Sequence, residues 1–219
     1  MFFPELQKTQ KAIEISNSTD LFLVPKIISF DKKFGTIVYQ KINDSIPIHR
    51  IDTSLDIWDI LIFRLGRIMS SIHWFNFNND SYGKHYTNFI HGDFSVINIL
   101  YTENNNNICI IDWSMSDLFN GYIKEPNYLL DISWFNISFL SLFNGDLNRY
   151  FDLINKFLLS YLNHSPLSKY PKDIINYHNE IFTIFINHVK KNNQLSKKKL
   201  YVLNDGYDDL LEKHIVKYI

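Results

Sequence analysis

The segment from residue 97 to residue 111 constrains the fold of this chain more than any other feature of its sequence. Two short apolar runs, at 97–101 and 108–111, flank a polar turn at 104–107. Short apolar runs separated by turn residues are typical of a β-hairpin. Polar side chains stand just before the first run and just after the second, so the hairpin would gather them at its open end.

The rest of the chain predicts an early hairpin and a series of helices. Apolar residues at three- and four-residue steps predict helices, and we expect them at 5–15, 54–75, 128–143, 147–162, 173–189 and 196–218. Residues 21–30 and 36–42 flank a polar turn and predict the early hairpin, with a break before it at 17–20 and a connector after it at 44–52. The fold class is therefore α+β, a small mixed front end on a mostly helical body.

Composition excludes several classes of function. Lys and Arg number 22 against 23 Asp and Glu, so the chain lacks the cationic excess of nucleic-acid coats and polybasic membrane binders. No apolar run approaches the ~20 residues of a membrane span, and no secretory signal opens the chain. The single Cys109 excludes an internal disulfide and a cysteine-rich zinc site, and its apolar neighbours predict a buried side chain. We expect a cytoplasmic protein without nucleic-acid or membrane partners.

Candidate chemistry concentrates at the mouth of the second hairpin. Asp93 and Asn98 lie in the loop that enters the first strand, and Asp112 follows the second strand, 19 residues after Asp93. Pairing of the two strands would bring two carboxylates and an amide oxygen to one place. Converging carboxylates repel unless a cation or a proton lies between them. Oxygen ligands suit a hard cation such as Mg²⁺, whereas the absence of a soft-ligand set argues against zinc.

These residues resemble the motif of a known family. The matching positions are His91, Gly92 and Asp93, then Asn98, Ile99 and Leu100, and finally Ile111, Asp112 and Trp113. In this order and spacing they resemble the aminoglycoside phosphotransferase / choline kinase-like family, which has a protein-kinase-like fold. Residues 24–28, 65–73 and 126–132 also resemble segments of that family in the same order, so the resemblance covers about residues 5–140.

The resemblance implies an activity and a set of roles. It implies transfer of the γ-phosphoryl group of ATP or GTP to a hydroxyl of a sugar, amino sugar or amino alcohol. Asp93 would be the catalytic base, while Asn98 and Asp112 would hold Mg²⁺ against the nucleotide phosphates. His91 would tie the loop to the hairpin. Residues 1–45 would form a truncated N-lobe and hinge, and residues 46–219 a helical C-lobe whose loops after Gly121 contact the acceptor.

Three further residues take their expected role from the same resemblance. Gln40, Lys41 and Ile42 fall at the hinge between the two lobes, where backbone groups would meet the nucleotide base.

The N-terminal part departs from the family pattern. The glycine-rich loop, the first three strands and the strand lysine have no counterpart in this sequence. Glu5 is the best match for the helix glutamate that pairs with that lysine, with Glu14 second, and a solvated helix carboxylate is the favoured interpretation. Nothing in the spacing of Lys8, Lys11 or Lys26 marks a replacement. A reduced but active N-lobe, an inactive relative and a missing N-terminal segment all remain open.

Other interpretations accompany the leading one. The main alternative is a catalytically inactive, kinase-like binding module, and a metal-dependent hydrolase is weaker because no second cluster of metal ligands is visible. His73 and Asp131 are expected to be structural, and the aromatic side chains at 134, 135, 139 and 143 are expected to belong to the core.

Overall fold

The computed structural model of this chain describes residues 2–77, 89–119, 122–123, 127–143, 145–192, 194 and 196–219. It is an α+β structure, as expected. In chain order its main elements are α1 (Phe2–Thr19), β1 (Ile27–Asp31), β2 (Thr36–Tyr39), β3 (Ser45–Pro47), α2 (Ile57–His73), β4 (Ile99–Thr102), β5 (Asn107–Ile110), α3 (Tyr128–Leu140), α4 (Leu147–Asn163), α5 (Ile174–Asn192) and α6 (Lys197–Asp209). The loop after Gly121, expected to contact the acceptor, lies largely outside the described residues.

The first hairpin is present but shorter than its apolar pattern suggests. Strands β1 and β2 pair antiparallel, and the Asp31 carboxylate closes the turn by accepting from the N–H groups of Lys33 and Phe34. Leu23 does not belong to β1, because it forms a parallel bridge with Cys109 in the other sheet. Pro25 separates the two pairings, since proline has no N–H to donate to a ladder. The prediction of one strand over 21–30 is therefore wrong.

The second sheet has the strand order β3-β4-β5 and contains the expected hairpin. Ile99 pairs with Ile110 and Thr102 with Asn107, which confirms the hairpin predicted around the 104–107 turn. Strand β3 was not expected within the 44–52 connector. It is three residues long and ends at Pro47 on the edge of the sheet, a position at which proline is tolerated and leaves little sequence signal.

The helical body is built on close packing between α2 and α4. A Cβ at Gly66 would lie 2.5 Å from the carbonyl oxygen of Phe157, so this crossing requires a glycine. Ser160 joins the same two helices by donating to the carbonyl oxygen of Phe63 at 2.7 Å. Helix α2 begins at Ile57 rather than at residue 54, and Leu55, which continued the apolar pattern, is 51% exposed.

Cys109 is fully buried in β5, and burial raises the pKa of its thiol to about 12. A thiol in this state is not a nucleophile at neutral pH, which confirms its prediction as a small core residue. In the part of the chain that the structure describes, no helix has both the length and the apolar character needed to cross a bilayer.

Buried His178 makes the stability of the helical body sensitive to acid. Its ring lies between α3 and α5, where Nδ1 is 2.7 Å from the Ser133 hydroxyl and Nε2 accepts from the Asn136 amide at 3.2 Å. Burial lowers the pKa of His178 to about 3. The unfolded chain therefore binds a proton that the folded chain excludes, and folding stability from this group is complete above about pH 6.5 and declines as the pH falls toward 3.

We predict that His178→Gln flattens this part of the pH dependence. In urea unfolding between pH 4 and pH 6.5, the free energy of unfolding of the unaltered chain should fall with pH by up to about 1.4 kcal/mol per unit through this group, and the variant should lose that slope. His188→Gln, at an exposed position on the same helix, should keep it. An unchanged slope in His178→Gln would contradict the assignment.

Candidate functional site

His91 fastens the loop at 91–98, here called the 91–98 loop, to the second hairpin. Its side chain is fully buried, its Nε2 donates to the carbonyl oxygen of Ile111 at 2.9 Å, and its Nδ1 accepts from the Asp93 N–H at 3.1 Å. Burial lowers the pKa of His91 to about 4, so the ring is neutral and both of its nitrogens are used. The expected structural role of His91 is confirmed.

Asp131 of α3 anchors the same loop to the helical body. Its fully buried carboxylate accepts from the N–H of His91 at 2.6 Å, from the N–H of Gly92 at 2.8 Å and from Nε2 of His73 at 3.1 Å. Burial opposes ionisation, but the hydrogen bond and charge of His73 outweigh it and hold the pKa of Asp131 below its usual value. The Tyr161 hydroxyl, 2.9 Å from Nδ1 of His73, extends the chain of contacts into α4. His73 and Asp131 are structural, as expected.

Asp93 is half-buried and has one carboxylate oxygen fixed. The indole N–H of Trp134 donates to Oδ1 at 2.6 Å. Burial raises the pKa of Asp93 to about 6; the hydrogen bond from Trp134 opposes that rise and the charge of Asp112 adds to it. The carboxyl group is therefore ionised at neutral pH and close to the pH at which it would take up a proton, as a general base requires.

Asn98 and Asp112 lie at the open end of the hairpin, as expected. The carbonyl oxygen of Asn98 accepts from the Ile111 N–H at 3.0 Å, and its Nδ2 donates to the carbonyl oxygen of Asp93 at 3.0 Å. Asp112 is exposed, has a φ of 57° and accepts from the Ser114 hydroxyl at 2.6 Å. A positive φ is uncommon for a non-glycine residue and is frequently found at functional positions.

The donor set fits a cation that retains other ligands. Because Asn98 uses its Nδ2 as a donor, its Oδ1 is the atom left for a metal, and Asp112 offers a carboxylate at the same end of the hairpin. In the described part of the chain, no three His, Cys, Asp or Glu side chains are grouped so that they could hold a metal ion. Two oxygen ligands suit Mg²⁺ only with waters and substrate phosphates completing its shell, which is its usual arrangement in proteins.

A cavity of about 380 Å³ opens beside Asp112, between α1 and the two hairpins. The expected hinge residues Gln40, Lys41 and Ile42 line it together with Asp112. Its other lining residues are Glu5, Thr9, Pro25, Tyr39, Leu100, Ile111 and Trp113. The segment expected to meet a nucleotide base and one expected metal ligand thus border one space, whose volume falls within the range of small-molecule sites.

Glu5 belongs to this cavity rather than to the solvated surface. It is half-buried and accepts a hydrogen bond from the Tyr39 hydroxyl at 2.9 Å, which links α1 to β2. Glu5 is therefore not a fully solvated helix carboxylate, as was expected, but a half-buried one bound to Tyr39. Glu14 instead forms an ion pair with Lys11 at 2.8 Å on the exposed side of α1.

Two residues of the site were missed by sequence reasoning. Trp134, expected only in the core, lies three residues after Asp131 on α3, and this helical spacing could have placed it at the same loop. Lys8 donates to the carbonyl oxygen of His91 at 2.5 Å, 83 residues away. Its signal was weak: it lies four residues before buried Ala12, on the inward side of α1.

Comparisons with known proteins add no identification. No family model matches this chain, and no curated protein matches it. The functional assignment therefore depends on the residues and contacts described above.

The anchoring role of Asp131 yields a prediction about stability. Asp131→Asn keeps the size of the side chain but replaces one acceptor oxygen by a donor that faces the loop N–H groups. The free energy of unfolding should fall by about 3 kcal/mol, because buried partners are left unpaired. Urea unfolding measures this change. Asp152→Asn, at an exposed carboxylate paired with Arg149 and Lys156, should cost about 1 kcal/mol or less, and equal losses would contradict the anchoring role.

Proposed function

We propose that this chain is a small-molecule phosphotransferase of the protein-kinase-like type. It would move the γ-phosphoryl group of ATP or GTP to a hydroxyl of a sugar, amino sugar or amino alcohol. One observation carries the proposal: the cavity bordered by residues 40–42 is also lined by Asp112, at the end of the hairpin where Asn98 is bonded to Asp93. The nucleotide base, the phosphates and the acceptor hydroxyl would therefore be aligned along one path.

Asp93 is the proposed base. Oδ1 is held by Trp134, and the second oxygen would orient and accept the proton of the attacking hydroxyl. Because its pKa is about 6, Asp93 is ionised at neutral pH and is a stronger base than an ordinary carboxylate. The buried contacts of Asp131 with the 91–98 loop keep this carboxylate in place, which matters because phosphoryl transfer depends on positioning.

Asn98 and Asp112 are the proposed ligands of Mg²⁺. When bound, the ion would bridge phosphate oxygens of the nucleotide and neutralise charge that develops during transfer. The carboxylate of Asp112 accepts from the Ser114 hydroxyl, and the positive φ of Asp112 sets the backbone at the hairpin mouth. The Nδ2 of Asn98 donates to the carbonyl oxygen of Asp93, so the amide oxygen of Asn98 is the atom available to the ion.

Backbone groups of residues 40–42 are proposed to bind the base. The Gln40 N–H is already donated to the carbonyl oxygen of Lys26 at 2.7 Å, so recognition by N–H groups would fall to Lys41 or Ile42. In this assignment α1 and the first hairpin form a reduced N-lobe over residues 1–45, and residues 46–219 form the C-lobe. The lone, buried Cys109 supports a cytoplasmic location.

A nucleotide-binding module without transfer activity is the second candidate. The lack of a three-ligand group among the described His, Cys, Asp and Glu side chains favours it, because a weakly held ion would stabilise the transition state less. Both candidates require a nucleotide in the cavity and differ in the role of Asp93.

We predict separate effects for the two aspartates. In a thermal-shift titration with ATP, Mg²⁺-dependent stabilisation should be present in the unaltered chain and lost in Asp112→Asn, because the metal loses its charged ligand. Asp93→Asn should keep the stabilisation and lower ATP consumption with a hydroxyl acceptor by roughly 10²- to 10⁴-fold. Asp152→Asn, on the outer side of α4, is the matched control and should change neither quantity.

Stabilisation by ATP without consumption in any acceptor tested would support the binding module. No response of the unaltered chain to nucleotide, with or without Mg²⁺, would contradict both candidates.

The proposed location of the nucleotide base gives an independent prediction. Leu100→Trp adds bulk to the half-buried wall of the cavity, so stabilisation by ATP and by adenosine should both be lost. Ile46→Trp, on the neighbouring strand β3, borders a different groove and should leave both intact. If Leu100→Trp still binds adenosine, the nucleotide base does not bind in this cavity.

A further inference from the structure

Lys8 brings a positive charge from helix α1 to the 91–98 loop. Its Nζ donates to the carbonyl oxygen of His91 at 2.5 Å and lies 3.1 Å from the position that a Cβ on Gly92 would occupy. A side chain at Gly92 would therefore crowd the ammonium group and force it to shift by a few tenths of an ångström. The φ of Gly92, 87°, is also one that other residues rarely adopt, so this glycine permits both the loop conformation and the approach of Lys8.

The ammonium group of Lys8 lies among several carboxylates. Asp131, Asp112, Asp93 and Glu5 all act on it electrostatically. Lys8 belongs to none of the ion pairs within 4.0 Å that the described residues form. Asp131 is paired instead with the ring of His73 at 3.1 Å. Lys8 is thus surrounded by carboxylates without being paired to one of them, and a single His91 carbonyl occupies one of its three N–H donors.

This arrangement suits an additional anion that arrives together with a divalent cation. Phosphate groups entering beside Asp112 would bring more negative charge, and their binding requires donors and cations fixed in advance. We propose that Lys8 binds the phosphate groups of the nucleotide, supplying from helix α1 the cationic group that the strand lysine supplies in the family pattern. This inference rests on the proposed function.

Other lysines of the N-terminal part are placed less well for this role. Lys11 is committed to Glu14 at 2.8 Å on the exposed side of α1. Lys26 is exposed in the segment that leads into β1, and Lys41 borders the cavity at the hinge segment, where the base is proposed to bind. Lys8 alone among these four contacts the loop that carries Asp93.

The test compares ligands that differ in phosphate content. Affinities for adenosine, AMP, ADP and ATP are measured by calorimetry in the presence of Mg²⁺ for the unaltered chain, Lys8→Met, Lys8→Arg and the control Lys11→Met. Lys8→Met should weaken ADP and ATP about 10- to 100-fold, because a charged hydrogen bond is lost, and should leave adenosine within about twofold. Lys8→Arg should recover part of the loss, and Lys11→Met should match the unaltered chain.

The outcomes separate this inference from the proposed function. If Lys8→Met weakens adenosine and ATP equally, or weakens neither, Lys8 does not bind phosphate and the inference is overturned while the proposed function stands. If the unaltered chain binds none of the four ligands, the proposed function itself fails, and this inference fails with it.

A measurement on the unaltered chain covers the case in which Lys8→Met does not fold. Lysine acylation is followed by mass spectrometry with adenosine, ADP or neither present. ADP with Mg²⁺ should protect Lys8 from acylation several-fold more than adenosine does, whereas Lys11 should react equally in all three. Equal acylation of Lys8 with ADP and with adenosine would overturn the inference.

Discussion

The carboxylate of Asp131 is the contact on which the candidate site depends. Burial of an ionised carboxylate is unfavourable unless hydrogen bonds and opposite charge compensate it. Here two consecutive backbone N–H groups, from His91 and Gly92, and the ring of His73 provide that compensation. The conformation of the 91–98 loop is consequently coupled to the packing of the helical body, and the loop cannot move without leaving a buried charge unsatisfied. Asp93, one residue further on, takes its position from this coupling.

The same arrangement gives the site its charge. His91 is held neutral by burial, and the charge of Asp131 is met by its hydrogen bonds within the core. Glu5 and Asp112 line the cavity together with Lys41, and Lys8 contacts the loop that carries Asp93. Burial is the main cause of the raised pKa of Asp93, and the charges of Asp112 and Asp131 add to it. A divalent cation would offset these negative charges, which is why the carboxylates are more informative about function than the shape of the cavity alone.

Sequence reasoning succeeded where the relevant contacts are local and failed where they are distant. The second hairpin, the position of Asn98 and Asp112 at its mouth, and the structural role of His91 follow from spacing within about twenty residues. The contact between Lys8 and His91 spans 83 residues, and that between Trp134 and Asp93 spans 41, so neither leaves a periodic pattern. The early strand was overextended for a related reason: an apolar run does not record that its first part pairs with a different sheet.

Helix α1 links the cavity to the 91–98 loop because its residues contact both. Glu5 and Thr9 form part of the cavity wall, and Lys8, on the adjoining surface of the helix, reaches the 91–98 loop. Tyr39 fixes this helix to the first hairpin through Glu5, and the segment at 40–42 follows directly. Any displacement of α1 would therefore alter the cavity and the cation together. A front end built from one helix and one hairpin is small, but under the proposed function these contacts would position a nucleotide base and a phosphate group relative to Asp93, and Lys8 would take the place of the strand lysine that the sequence lacks.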